Sequence, residues 1–254
     1  MRRTTLVSGV LLTWASTTGT AAAALSFTPA AGYTAGIVWS GADAAHFAVE
    51  NGNFYIYGAQ DIGGGQLQSV VRMYDGTSTV EIARSPAYAA DTYSADAITV
   101  VNGDVYWAHV NGAPPYSYHA NICKTSYDGG AWSTTTLLDE SAGINVFSLC
   151  TDGSNVFGVG LDNADSNVAF FLDSAGGYEV FAEIPGYSGG SGFDSAGNFF
   201  AGACDVATFT PHMYEFSAQQ VADRLSGAQS TPYAVGDAVG DHVVPGNVSA
   251  VMES

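Results

Sequence analysis

The stretch FAVENGNFYIY, from Phe47 to Tyr57, sets a pattern that the rest of the chain repeats. Two short apolar runs flank Asn51-Gly52, and a two-residue hairpin turn favours Asn-Gly because its central residues take a positive φ. The same arrangement returns as ITVVNGDVYWA from Ile98, FSLCTDGSNVFGVG from Phe147 and SGFDSAGNFFAGA from Ser191. The stretch is therefore one unit of an internal repeat.

The spacing of the repeat indicates the architecture. The residues that follow the turns are Phe54, Val105, Val156 and Phe199, which gives periods of 51, 51 and 43 positions. Repeats of roughly 40 to 50 residues with four strands each are typical of propeller blades, whereas helical solenoids show a 3.6-residue period. We therefore predict an all-β fold, a β-propeller of four-stranded blades.

The strand patterns place four blades at 46–84, 96–138, 145–184 and 190–236. Matching Asp-Gly turns at Asp75 and Asp128 join the two outer strands of the first two blades. In the fourth blade, Ser217 followed by AQQVADRL predicts an N-capped helix that ends by Gly227, inserted between the last two strands. PGNVSAVMES resembles the opening strand of a fifth unit at 245–254. Propellers close with about four to eight complete blades, and this chain supplies four and a fraction. Either the sequence is a fragment with an incomplete ring, which we favour, or the ring closes by an unusual pairing.

The first 24 residues have the layout of a secretory signal peptide. Arg2 and Arg3 precede a mainly apolar run from Leu6 to Trp14, and small residues follow at Ala21–Ala24. Polar residues from Ser16 interrupt this run, which is too short for a membrane anchor of about 20 apolar residues. We expect residues 25–254 to form one exported domain, secreted or at the cell surface, with no transmembrane segment.

Charge and composition exclude some classes of function. The chain carries 6 basic and 24 acidic residues, and removal of residues 1–24 would leave a net charge of −20. Phosphate binding needs clustered Lys and Arg, so nucleic-acid binding is excluded. With 47% hydrophobic residues the chain is not disordered, and its 12% charged residues fit sheets that are buried on both faces.

Three cysteines, Cys123, Cys150 and Cys204, follow the signal peptide. An oxidising compartment would allow one disulfide and leave one thiol. Their spacing matches no metal-binding pattern, and the alternative is that they are small apolar residues within strands.

The units ADAITVVNGDVYWA and GSGFDSAGNFFAGA, with the two Asp-Gly turns, resemble secreted bacterial β-propeller proteins of the NHL and Kelch-like kind. The resemblance spans most of the chain after residue 24, and its loose motifs imply an architecture without a reaction. Many such proteins end in a PEP-CTERM sorting tail, which would here have to follow Met252. The resemblance thus implies export. If the sequence is a fragment, the tail is missing from it; if the sequence is complete, anchoring by that route has no support.

The candidate binding residues lie in loops at one end of the predicted ring. The loops that join the second and third strands of the blades are long, at 60–66, 111–120, 162–167 and 205–212, and long loops on a rigid scaffold are frequent recognition sites. Their polar and aromatic members are the predicted ligand-binding residues: Asp61, Tyr116, Tyr118, His119, Asp162, Asp165 and His212. Carboxylates and imidazoles could hold calcium or act as an acid and base, but Asp also caps turns with its own side chain.

Asp43 and Asp96 occupy matching places just before the first strand of a blade, in GADA and SADA. Their repetition favours a structural role, such as accepting hydrogen bonds from backbone amides, over ligand binding. The third unit offers Asn145 nearby and the fourth only Gly and Ser, so a symmetric ring of metal ligands is not expected.

These observations favour an exported, noncatalytic propeller that serves as a binding or cell-surface scaffold, with a surface glycan or a protein as its partner. No catalytic residue and no cofactor is assigned, calcium being the one ion that the loop carboxylates would suit. The alternative is a propeller hydrolase or lyase that acts on a carbohydrate or lactone, with calcium as a cofactor. Because propellers host both kinds of function, the fold does not decide between them.

Overall fold

A computed structural model describes residues 46–89, 97–110, 119–173, 176–187, 189–205, 207–208 and 210–243. Five parts of the sequence-based interpretation lie outside these residues. They are the signal peptide at 1–24, Asp43, Asp96, the tyrosines Tyr116 and Tyr118, and the fifth unit at 245–254.

The first two sheets are antiparallel and follow the chain from the inner to the outer strand. The first sheet also carries a short fifth strand, which pairs with its third. Its strands are β1 His46–Glu50, β2 Asn53–Gly63, β3 Gln66–Tyr74, β4 Thr79–Arg84 and β5 Tyr88–Ala89. The strands of the second are β6 Ala97–Val101, β7 Asp104–Val110, β8 Ala120–Asp128 and β9 Ala131–Leu138.

The last two sheets are interleaved at their outer edges. The third is β10 Asn145–Thr151, β11 Val156–Leu161, β12 Asn167–Leu172 and β13 Tyr178–Glu183, with β17 Tyr233–Ala234 paired in parallel to β13. The fourth is β14 Ser191–Phe193, β15 Phe199–Cys204, β16 Pro211–Phe216 and β18 Gly240–Val243. The segment between β16 and β18 therefore crosses to the third sheet and returns.

The four sheets stand in a ring, so the predicted all-β propeller is confirmed and the described residues form four blades. The inner strands β1, β6, β10 and β14 neighbour one another in that order. No helix within the described ranges is long and apolar enough to cross a membrane.

The inner hairpin turns have the predicted geometry. Asn51 and Gly52 have φ values of 52° and 82°, and Asn102 and Gly103 have 54° and 84°. Both residues of each turn are thus left-handed, as the right-handed twist of the flanking strands requires.

Two predicted loops differ from the structure. The segment 60–66 is not a long loop: β2 continues to Gly63 and β3 begins at Gln66, because glycines with positive φ compress the turn. The turn expected at Asp128-Gly129 is formed by Gly129-Gly130, since Asp128 still pairs with Ala131 in the ladder.

In the part of the chain that the structure describes, the core consists of three apolar layers, each between two neighbouring blades. In the layer between blades three and four, the Phe157 ring lies 5.2 to 5.9 Å from those of Phe171, Phe181 and Phe199. Full burial of one such side chain contributes about 1.5–3 kcal/mol to stability. This packing makes the junction between blades three and four a rigid support.

The predicted helix α1, Ala218–Leu225, lies between the last two strands of blade four. Ser217 and Gln220 form a capping box at its start. Buried Arg224 donates hydrogen bonds to the carbonyl oxygens of Val180, at 2.6 Å, and Gln229, at 2.7 Å. Blade four extends to Val243, beyond the position 236 indicated by the sequence.

All three cysteines are free thiols, and Cys123 and Cys150 are buried. Burial raises the pKa of the Cys123 thiol, which keeps it protonated and unreactive.

Candidate binding site at the loop end of blades three and four

Each blade has one end where its second strand turns into its third and where the chain passes to the next blade. We call this the loop end. The structure spreads the described candidate residues along it: Asp61 on blade one, His119 before the third strand of blade two, Asp162 and Asp165 on blade three, and His212 on blade four. The sequence-predicted residues are therefore not gathered at one point.

Two candidate carboxylates hold the backbone of their own turns. Asp61 Oδ1 accepts a hydrogen bond from the Gly63 N–H at 2.7 Å. Asp162 Oδ1 accepts from the N–H groups of Ala164, at 2.8 Å, and Ser166, at 2.9 Å. Asp165, in the same turn, has a φ of 57°, a conformation that Asp adopts more readily than most residues. These side chains shape the loop end through local hydrogen bonds.

His212 lies at the start of β16 and belongs to a polar cluster. Its Nδ1 lies 2.8 Å from Asp241 Oδ1 on the neighbouring strand β18. Its ring stacks on Tyr214, with centroids 5.7 Å apart and planes 8° from parallel. The partly exposed imidazole is thus held between a carboxylate and an aromatic ring.

The surroundings of this cluster shift the pKa values of Asp205 and Tyr214. Hydrogen bonds from the backbone of Ala207 and Thr208 hold the pKa of the Asp205 carboxyl below its usual value, and His212 lowers it further. Burial raises the pKa of the Tyr214 hydroxyl, and the negative charges of Asp241 and Asp205 add to that effect. The cluster therefore presents two carboxylates beside one imidazole and a neutral phenol.

An aromatic pair lies where the chain passes from blade three to blade four. Tyr187 is 44% exposed, and its ring centre lies 5.6 Å from that of Phe147. Phe147 occupies a bulge in β10, between Val146 and Ser148, where it has no partner in the ladder with β11. Glycines opposite the bulge make room for it, because a Cβ on Gly160 would overlap the backbone oxygen of Asn145.

The wall of blade three that faces blade four carries two buried asparagines. Asn145, Leu161 and Asn167 are paired across β10, β11 and β12, so their side chains share one face. The next row on that face, Val159 and Ala169, packs in the core layer shared with blade four. The asparagines therefore lie on the face toward blade four, one row closer to the loop end.

Sequence reasoning missed most of this site. The alternation in PHMYEF could have shown that His212, Tyr214 and Phe216 share a face of one strand. No comparable signal marks Asp241, because the insertion that contains α1 separates it from β16. Within the described ranges, no group of three or more His, Cys, Asp and Glu side chains is placed to hold a metal ion.

No protein-family model matches the chain, and no curated protein shows significant sequence similarity to it. AofleA from Arthrobotrys oligospora superposes with a TM-score of 0.47 at 10% identity, over 82% of this chain and 58% of that one. A triple arginine-to-alanine mutant of AofleA gives a TM-score of 0.47 at 10% identity, over 81% and 57%. The WD40 domain of SCAP from fission yeast gives 0.32 at 12% identity, over 65% and 38%. The chain spans less than two thirds of each of these proteins.

Proposed function

We propose that the protein is a noncatalytic β-propeller that binds a ligand or a partner protein at the loop end of blades three and four. The arrangement of the His212–Asp241 pair on Tyr214 carries the proposal, and the exposed Tyr187 lies where the chain passes from blade three to blade four. Recognition sites combine aromatic surface with a few oriented polar groups, and here two packed blades hold both.

The proposal includes export to the outside of the cell or to its surface, on the strength of the N-terminal pattern of residues 1–24. The sequence resemblance adds a bacterial protein of the NHL or Kelch-like kind, sorted by a PEP-CTERM tail. The partner would be a surface glycan or a protein. The net charge of −18 makes an anionic partner unfavourable.

The other residues predicted from the sequence are proposed to shape or extend the binding surface. Asp61, Asp162 and Asp165 shape the loops, and His119 extends the polar surface on blade two. Tyr116 and Tyr118 are proposed to add aromatic surface there, while Asp43 and Asp96 keep their structural assignment. Any calcium ion would bind the carboxylates of Asp61, Asp162 or Asp165.

A second candidate function is hydrolysis or elimination on a carbohydrate or lactone. It is favoured by one observation, the 2.8 Å approach of His212 Nδ1 to Asp241 Oδ1, because a carboxylate that orients an imidazole is an arrangement used by general bases. In this alternative His212 would take a proton from the substrate or water through its other nitrogen, and Asp241 would stabilise the imidazolium.

A matched pair of variants tests the proposal. Asp241→Asn removes a carboxylate at the site. Asp75→Asn, on blade one, removes a carboxylate from a turn at the end of the blade away from the loop end, and its amide can still cap that turn. The labelled full-length chain is applied to an array of soluble glycans, and calorimetry with calcium or EDTA follows for each hit. We expect Asp241→Asn to weaken binding and Asp75→Asn to leave it unchanged. Equal affinities for both variants would contradict the assigned site, and turnover of a bound glycan that His212→Ala abolishes would favour the enzyme.

A further inference from the structure

We propose that a neutral sugar binds at the junction of blades three and four, where its adjacent hydroxyl groups pair with Asn145 and Asn167, two side chains that the fold without ligand keeps buried. The inference rests on the proposed binding function and names its ligand class. It starts from two side chains that the fold buries without giving them hydrogen-bond partners.

Both asparagines are 3% exposed. Asn145 Oδ1 and both amide atoms of Asn167 have no hydrogen-bond partner among the described residues. Leaving a buried polar group unsatisfied costs about 1–3 kcal/mol, and buried polar atoms in proteins are normally paired. Three such atoms on one face of blade three therefore indicate that another molecule supplies the missing hydrogen bonds.

The face of blade four toward blade three also carries polar groups at the loop end. His212 pairs with Ala203 and Asp241 pairs with Tyr214, and both Ala203 and Tyr214 belong to the core layer between these two blades. The side chains of His212 and Asp241 therefore face blade three, at the loop end. A polar group from each blade thus borders the same junction, above the apolar layer.

The pattern of donors and acceptors selects the ligand. The unpaired atoms are two acceptors, Asn145 Oδ1 and Asn167 Oδ1, and one donor, Asn167 Nδ2. An anion offers only acceptors and would also meet the negative charge of Asp241, and a cation cannot pair with the amide donor. A hydroxyl group both donates and accepts, so two neighbouring hydroxyls of a neutral sugar match all three atoms.

The aromatic pair Tyr187 and Phe147 offers an apolar surface to the same sugar. The exposed Tyr187 ring and its partner Phe147 lie where blade three passes into blade four. Aromatic rings there offer a flat apolar surface on which the C–H face of a sugar ring can rest. The polar groups of the junction and the aromatic pair beside Asn145 would thus contact different faces of one sugar residue.

Asparagine-to-leucine variants of the full-length chain test the inference. Leucine has the same branched skeleton of side-chain heavy atoms as asparagine and leaves no unpaired amide, so Asn167→Leu should unfold at the same or a higher temperature than the wild type. We expect the same variant to bind the best neutral glycan of the array about tenfold more weakly, the effect of one or two lost hydrogen bonds. Asn121→Leu is the control, because Asn121 is also buried with an unpaired Nδ2 but faces away from blade three.

A second measurement covers the case in which the leucine variant fails to fold. In the wild type, the Nδ2 resonances of Asn145 and Asn167 should shift on addition of the glycan, and that of Asn121 should not. If the glycan binds with unchanged affinity to Asn167→Leu, or without shifting these resonances, the inference is wrong and the proposed binding function stands. The inference is also wrong if the wild-type chain binds no neutral glycan and water molecules alone pair with the side chains of Asn145 and Asn167. The proposed function then depends on a protein partner.

Discussion

Asp241 Oδ1 lies 2.8 Å from His212 Nδ1, across the two outermost strands of the fourth blade. On the opposite face of the same strand pair, His242 Nε2 lies 2.9 Å from Glu215 Oε2. Two histidine–carboxylate pairs therefore hold the edge strand β18, whose residues are otherwise largely exposed. The His212–Asp241 pair of the candidate site therefore also helps to hold β18 against the rest of blade four.

The double variant Asp241→Asn/Glu215→Gln should loosen β18 without unfolding the ring. Each partly exposed histidine–carboxylate contact contributes only about 0–1 kcal/mol, so the effect is local. Hydrogen exchange should become faster in residues 240–243 and stay unchanged in the inner strands. Glu81→Gln, which breaks the exposed pair with Arg84 on blade one, serves as the control. Unchanged exchange in β18 would show that the two pairs do not hold the strand.

Gly160→Ala should destabilise blade three, because the added Cβ overlaps the backbone oxygen of Asn145 at the β10 bulge. Forcing extra volume into a packed position costs about 1–3 kcal/mol. The expected result is a lower denaturation midpoint and weaker ligand binding, since Asn145 and Phe147 move with the bulge. Gly236→Ala is the control, with open space around its Cβ position. Equal midpoints for the two variants would contradict the close approach of β10 and β11.

Arg224→Met should detach helix α1 from blade three. The guanidinium is buried and donates to two carbonyl oxygens, and it lies 5.7 Å from the centre of the Phe171 ring. Its loss leaves those oxygens unpaired, with an expected cost of about 2–3 kcal/mol in the free energy of unfolding. Arg84→Met, at an exposed position, should cost far less. Chemical denaturation compares the two, and a similar loss in both would contradict the anchoring role.

His109 should make the fold sensitive to acid. Burial lowers the pKa of its imidazole, although a contact with the Val110 carbonyl oxygen opposes the shift. As pH falls below the ordinary His pKa of about 6.5, the unfolded chain binds a proton that the folded chain resists, so stability is lost as pH approaches the lowered pKa. Denaturation between pH 7.5 and 5 should show a smaller loss in His109→Gln than in the wild type. An equal loss of stability in His109→Gln and in the wild type would contradict the prediction.

Local features of this fold could be predicted because neighbouring residues determine them. The Asn-Gly turns at Asn51 and Asn102 need only a pair of residues that tolerate positive φ. Ser217 directly precedes the helical segment, so the N-cap of α1 was also predicted, and the structure adds a capping box with Gln220. The error at 60–66 is local as well: three consecutive glycines suggest a loop, yet two of them suffice to turn a longer hairpin.

The amino-acid sequence by itself determined the repeated hairpins, the four-stranded units and the inserted helix, since each depends on alternation or capping over a few residues. The tertiary structure alone decided which polar groups meet at the loop end. Asp241 reaches His212 only because β18 returns to blade four after a crossing to blade three. Asn145 and Asn167 become buried only because another blade packs against their sheet. Such contacts depend on the register and packing of distant strands, which leave no periodic signal along the chain.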